Sequence, residues 1–419
     1  MKKDKVLVFL VSQQWQVENF ILLSKKSGFN HNDILFLCTD LITHGNSYRY
    51  LTSLPNFSFV MLPKCNKSFL ISSIISTSFI LKTVKSRFRD ELRKIIFISD
   101  NFENVHASAL RNLSLLYNFK LFFLQHGENY FSNRAFDYSN GWYLLRGHCL
   151  SGFKKRVLDF ILLFVVSVTH FKLNKIFCIF KIAINLKYSY LSFANKIFVT
   201  NQKNKDWLVS CGINGNKVHI VGSILIDKYS GFLENEMHFR KFNFLSVVVY
   251  SSGSYRKTLS ASDRLNQKLF FNNIFLACQK FRINCIFKLK TDEEFKFKKD
   301  FPGLLYFSNN NDYLQYLEKN QQVLHVFPVD STMTLEFSLM KIPYVTFAPW
   351  DSLSDIGLLN LKSCVEVLHY AIHPELLERK MNIILNNKMN IKSICYRDLE
   401  LILGNFNSSF SEQISKYLI

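Results

Sequence analysis

No Walker-type P-loop and no GxGxxG fingerprint occurs in the 419 residues, which argues against an ATPase or a dehydrogenase. The nine cysteines form no Cys-x-x-Cys pair and no Cys/His cluster. Odd in number and scattered, they exclude a disulfide framework and are expected to be small, reduced, buried hydrophobes, with no structural metal and no cofactor. Zinc-finger spacing, an RNP-like aromatic signature and a helix-turn-helix are also missing, so no nucleic-acid partner is expected. The apolar run from Phe160 to Val168 falls well short of the roughly 18 residues a spanning helix needs. Near the start, the apolar Val6–Val11 ends at Ser12-Gln13-Gln14 with no small-residue cleavage site, so it is not read as a signal peptide and a cytoplasmic protein is expected. No internal repeat or low-complexity tract is evident.

What is present is apolar, aromatic and basic. A hydrophobic fraction of 48% with 42 Phe exceeds what a disordered chain carries, and the length suits two domains with separate cores. Lys and Arg number 52 against 32 Asp and Glu, a formal net charge of +20, which favours an anionic partner. Segment 151–205 carries ten Lys or Arg against the single acid Asp159, and its aromatic, Leu-rich stretches bordered by Lys suit a helix lying on an anionic membrane surface.

Apolar runs of strand length alternate with helical stretches. Strands are expected at Val6–Val11, Ile34–Cys38, Phe57–Leu62, Ile95–Ser99, Leu121–Leu124, Lys196–Thr200 and Val218–Val221, with helices at Trp15–Ser27, Phe69–Leu92, Glu103–Tyr117 and Lys205–Cys211. After an aperiodic stretch at Tyr229–Phe242, strands resume at Leu245–Tyr250, Asn284–Leu289, Leu304–Phe307, Gln322–Phe327 and Tyr344–Phe347, with a helix at Arg264–Lys280. Such βα repetition predicts an α/β protein of two Rossmann-like domains, 1–235 and 236–419, facing each other across a cleft.

Ligands of open α/β sheets bind beyond the carboxyl ends of strands, and polar residues there are the candidates for chemistry. Val323–Phe347 reads as strand, polar loop, helix and strand, with Asp330, Ser331 and Thr332 where the helix begins and Glu336 within its first turns. A helix N-terminus with free N–H groups and hydroxyls is a seat for phosphate. Ser251, Ser252 and Gly253 form a second such loop, and Lys288 or Lys290 could add charge from a neighbouring strand end. In the first domain the strand ending at Leu124 delivers His126 and Glu128 beside Gly127.

With these loops the chain resembles the GT-B glycosyltransferases. More narrowly, it is similar to bacterial surface-polysaccharide enzymes: capsule and lipopolysaccharide Kdo transferases, sialyl- and polysialyltransferases, and teichoic-acid glycerophosphotransferases. In that group a Ser-Ser or Ser-Thr pair ahead of a helix holds the nucleotide phosphate, which corresponds here to Ser331 and Thr332. Val199–Asp227 is similar to the segment closing the N-terminal domain of GT-B enzymes and nucleotide-sugar 2-epimerases, through Gly222, Ser223 and Asp227. The resemblance implies a nucleotide-sugar donor, with a CMP-linked acidic sugar such as Kdo favoured, a lipid-linked glycan acceptor, and a place at the inner membrane. His126, Glu128 and Asp227 are then the catalytic candidates. The alternatives it implies are a polyol-phosphate transferase, a nonhydrolysing 2-epimerase and a noncatalytic membrane-surface scaffold.

Overall fold

The computed structural model describes residues 5–12, 14–39, 52–54, 56–64, 69–88, 94–100, 105–125, 161, 164–170, 172–175, 190–210, 212–233, 244–251, 261–289, 294–308, 310–320, 322–328, 333–340, 342, 344–348, 367–369, 374–385, 399–400, 403–404, 406, 408 and 409–418. They divide into two compact units. The first holds Met1–Phe131, Ala135–Asp227 and Leu403–Ile419, and the second holds Lys228–Ile402 with Ser132–Arg134.

The first unit is a seven-stranded parallel sheet in the order β3-β2-β1-β4-β5-β6-β7. The strands are β1 (Val6–Val11), β2 (Ile34–Cys38), β3 (Ser58–Met61), β4 (Ile95–Ser99), β5 (Lys120–Leu124), β6 (Lys196–Val199) and β7 (Val218–Ile220). Continuous apolar runs form β1, β2 and β4 because both their faces are covered, the usual state of a parallel sheet's inner strands. Successive side chains alternate between two cores, as their period of two requires. Val6, Val8 and Leu10 face α2 (Phe69–Arg87) and α3 (Val105–Tyr117) through Ile80, Val84, Leu110 and Leu113. Leu7, Phe9 and Val11 face α1 (Gln14–Lys26) through Val17, Phe20 and Leu23. The helix α4 (Gln202–Ser210) is started by Asn201, whose Oδ1 accepts from Asn204 N at 2.9 Å, an N-cap bond.

The second unit is a six-stranded parallel sheet ordered β10-β9-β8-β11-β12-β13. Its strands are β8 (Ser246–Tyr250), β9 (Asn284–Lys288), β10 (Tyr306–Phe307), β11 (Val323–Pro328), β12 (Tyr344–Ala348) and β13 (Val367–His369). The helix α5 (Ile224–Leu233) carries the chain into this unit and kinks at Tyr229. One face of the sheet packs on α6 (Ala261–Lys280) and α7 (Glu294–Asp300), where the rings of Phe271, Phe287, Phe297 and Phe301 pack against one another at tilted angles. The other packs on α8 (Asn310–Lys319) and α9 (Met333–Leu339) through Tyr313 and Phe337. The helix α10 (Pro374–Leu385) buries Met381 in the first of these faces.

The α/β class with two Rossmann-like sheets is the class expected from the sequence. The last helix, α11 (Phe410–Leu418), is different: the sequence reading places all of 236–419 in the second domain, and α11 lies in the first unit. The cause is its apolar face, on which Phe410, Ile414 and Leu418 cover Phe198 and Val221 beside α1.

A buried polar group ties the second sheet to α8. Tyr250 Oη meets Tyr313 Oη and lies 3.0 Å from His325 Nδ1, with the His325 ring stacked on Phe327 and edge-on to Phe337. Burial pushes the His325 imidazole down to about 3. Between pH 6.5 and about 3 the unfolded chain takes up a proton that native His325 refuses, so stability is lost as pH falls through that window, by up to about 1.4 kcal/mol per unit of pH. Urea unfolding followed from pH 7 to pH 4 is expected to show this slope in the second unit, and His325→Gln is expected to flatten it.

Candidate functional site

Both sheets have a point where the strand order reverses, the place where ligands of open α/β sheets bind beyond the carboxyl ends of the strands. In the first unit the reversal lies between β1 and β4, which pair in parallel. Ser12 follows β1 and Asp100 follows β4. Gln16, in the first turn of α1, joins them: its Nε2 donates to Asp100 Oδ2 at 2.7 Å, and its Oε1 accepts from Ser12 N at 2.5 Å. Asp100 is 6% exposed, and burial pushes its carboxyl up to about 6 against the opposing pull of the Gln16 bond. A carboxyl at a strand end that exchanges its proton near neutral pH can serve as acid and base in one cycle.

Beyond Asp100 on the same sheet edge stands a second polar group. Gln125 Oε1, just past β5, accepts from Thr200 N at 3.1 Å and from Asn204 Nδ2 at 2.9 Å, and Asn204 Nδ2 also reaches Thr200 Oγ1 at 2.8 Å. These bonds fix the end of β5, the strand that leads to His126 and Glu128. Both of those residues lie outside the described residues.

In the second unit the reversal lies between β8 and β11, which pair in parallel and end at Tyr250 and Pro328. The two loops expected to hold phosphate, one beginning at Ser251 and one spanning Asp330, Ser331 and Thr332, therefore follow the two strands that flank this point. Ser251 is buried, with its N–H bonded to Lys288 O at 3.0 Å. Lys288, last in β9, turns its ammonium to Leu289 O at 3.0 Å. Ser252, Gly253, Lys290, Asp330, Ser331 and Thr332 lie outside the described residues. Glu336, on α9, accepts from Tyr229 Oη and lies 3.6 Å from Lys228 Nζ.

Asp227 is held at the start of α11. Its Oδ1 accepts from Ser409 Oγ at 2.6 Å and its Oδ2 from Ser411 N at 2.9 Å, with Lys26 Nζ 3.8 Å away. These contacts hold the start of α11, where a carboxylate also meets the positive end of the helix. Asp227→Ala leaves the Ser411 N–H without this acceptor and is expected to cost about 1–3 kcal/mol, read as a lower melting temperature with faster amide exchange over 410–418. Retained folding with unchanged exchange in α11 would argue that the clamp contributes nothing.

The residues absent from the sequence reading are Asp100 and Gln16. They are 84 residues apart, and only the pairing of β1 with β4 brings them together. The signal available was the polar Ser99-Asp100 closing an apolar strand, the same kind of signal that singled out Gln125-His126. Among the described residues no group of three or more His, Cys, Asp or Glu is placed to hold a metal ion.

Two doubly wound parallel sheets, each with helices on both faces, are the GT-B class of fold. No family model matches the chain, and no curated protein matches it. Among solved structures it is similar to the UDP-GlcNAc 2-epimerase of Methanocaldococcus jannaschii in complex with UDP-GlcNAc and UDP, at 14% identity over 99% of each chain with a TM-score of 0.54. The UDP-GlcNAc 2-epimerase of Neisseria meningitidis bound to UDP-GlcNAc is similar at 11% identity, covering 100% of this chain and 99% of that one, with a TM-score of 0.53. A glycosyltransferase from Rickettsia africae ESF-5 is similar at 12% identity over 99% and 98%, with a TM-score of 0.52. At these identities the likeness is one of fold.

Proposed function

We propose that this chain is an enzyme of nucleotide sugars and that its reaction is epimerisation at C2 of a UDP-linked amino sugar. The observation that carries the reading is Asp100, buried at the order reversal of the first sheet with its carboxyl held near neutrality. Inverting one carbon without a redox step needs a proton to leave and return, and a group titrating near pH 6 suits both directions. Full-length likeness to two proteins named as UDP-GlcNAc 2-epimerases supports this choice over the transferase expected from the sequence. The same likeness favours a uridine diphosphate sugar as substrate over the CMP-linked acidic sugar expected from the sequence. The nucleotide would sit at the carboxyl ends of β8 and β11, with Ser251, Ser252, Gly253, Ser331 and Thr332 offering donors to its phosphates and Lys288 or Lys290 offering charge.

A second reading, sugar transfer to a lipid-linked acceptor, is favoured by the likeness to the Rickettsia africae glycosyltransferase. Here His126 or Glu128 would take the acceptor proton. The two reactions separate in one experiment: UDP-GlcNAc is incubated with the chain in D2O without acceptor and followed by proton NMR. Epimerisation predicts deuterium at C2 and the growth of the C2 epimer, with Asp100→Asn slower by about 10²–10⁴-fold. UDP release only when an acceptor is added, with no exchange at C2, assigns the chain to the transferases. No thermal shift with any nucleotide sugar would sink both readings.

A further inference from the structure

One face of the first unit is, among the described residues, apolar and basic. Along α2 the accessible side chains recur every three or four residues: Ile71, Ile75, Ser78, Lys82 and Lys85. Ile71 is 44% exposed and Ile75 39%, although the rest of the helix is packed on the sheet and on α3. The helical residues 164–169 lie beside this stripe. Val166 is buried against Ile74 and Leu116, while Ser78 Oγ and Tyr117 Oη hold the two nitrogens of His170 at 3.2 and 3.0 Å. On the outer side of these residues Ile161, Phe164 and Val168 are each more than 40% exposed. Two apolar stripes from separate parts of the chain thus adjoin on one accessible surface.

Among the described residues around them the charge has one sign. The ammonium groups of Lys85 and Lys172 both lie over the ring of Tyr117, at 5.4 and 5.1 Å from its centre. Lys82 is exposed on the α2 stripe, and Lys175 reaches Asn118 Oδ1 at 2.9 Å. No Asp or Glu occurs in Phe69–Arg87, in 161–175 or in Val105–Tyr117. We propose that this face docks on an anionic lipid bilayer, with the isoleucines and Phe164 entering the headgroup boundary and the lysines meeting lipid phosphates. Apolar burial and attraction to negative headgroups reinforce each other in such a surface. A second copy of the chain is a poorer occupant, since a twofold contact would press one basic border against another. No helix among the described residues is long and apolar enough to cross a membrane, so the contact is with the surface. The inference goes beyond the nucleotide-sugar reading and holds whichever reaction the enzyme performs.

The test is co-sedimentation of the full chain with vesicles of phosphatidylcholine alone or with about a third phosphatidylglycerol. Binding is expected to the anionic vesicles only and to weaken with salt. Lys82→Glu/Lys85→Glu and Ile75→Ser/Phe164→Ser, all at exposed positions, are each expected to lower the bound fraction about tenfold or more with the melting temperature unchanged. Equal binding to neutral vesicles, or unchanged binding by both variants, overturns the proposal. So does a concentration-dependent dimer in sedimentation velocity that Ile75→Ser/Phe164→Ser abolishes, because that result assigns the face to a second copy.

Discussion

Asp100→Asn is expected to slow turnover by about 10²–10⁴-fold and to be more stable than the parent at neutral pH. A buried carboxylate costs stability because desolvation disfavours its charge, and the upward displacement from 3.8 to about 6 measures that cost. At about 1.4 kcal/mol per unit, the penalty at pH 8 is about 3 kcal/mol. Its sign follows from proton uptake. Below 3.8 the carboxyl is protonated folded or unfolded, and there the group costs nothing. As pH rises toward 6 the unfolded chain releases its proton first, so stability falls and stays lower above that range. Asparagine keeps an oxygen to accept from Gln16 Nε2 and removes the charge. Melting curves should therefore show Asp100→Asn several degrees above the parent at pH 8, with little difference at pH 4. An equal or lower melting temperature at pH 8 would mean that the charge is better solvated than its burial implies. Loss of turnover together with a gain in stability is the mark of a group retained for chemistry. The acid response of this unit is opposite to that set by His325 in the other.

Gly404→Val is expected to be among the most damaging single changes in the chain. Gly404 has φ +91°, and a Cβ there would lie 2.5 Å from Thr200 O and 2.7 Å from Gly222 Cα. Both neighbours are backbone and cannot swing aside. Gly222 also has positive φ, and next to it Ser223 N donates to Leu403 O at 2.7 Å. The segment that leads toward the second unit and the segment that returns from it thus pass backbone to backbone on the first unit. Forcing them apart would strain Thr200, whose N–H and hydroxyl both face the amide of Gln125, and would pull at the start of α11. A loss above about 4 kcal/mol is expected, in the range reserved for gross steric failure. Gly303→Ala is the control: its φ of +90° matches, and nothing lies within 4 Å of the added carbon. It should cost only the backbone strain, about 1–2 kcal/mol. Similar melting temperatures for Gly404→Ala and Gly303→Ala would show that the close approach is not limiting.

The sheets were the legible part of this chain. Runs such as Val6–Val11, Ile34–Cys38 and Ile95–Ser99 are apolar on both faces and bounded by polar residues, and each forms a strand with the limits its composition suggests. The aperiodic reading of Tyr229–Phe242 missed the end of α5, where a kink at Tyr229 breaks the helical period. The spacing of Phe410, Ile414 and Leu418 signals a helix, but no spacing tells which sheet it will cover. Site residues divide along the same line. Ser251 and Lys288 are found at strand ends, as local pattern predicts, whereas the partners of Asp100, Asp227 and Glu336 come from elements far off in sequence. Local pattern carries no information on such pairs.

The placement of α11 sets an order of events during synthesis. The face of the first sheet bearing Phe198 and Val221 receives part of its cover from residues that follow the whole second unit in the chain. On the ribosome the first unit therefore waits with Phe198 and Val221 uncovered while the second unit is made, and truncation shortly before Ser409 is expected to leave that apolar surface sticky and chaperone-dependent.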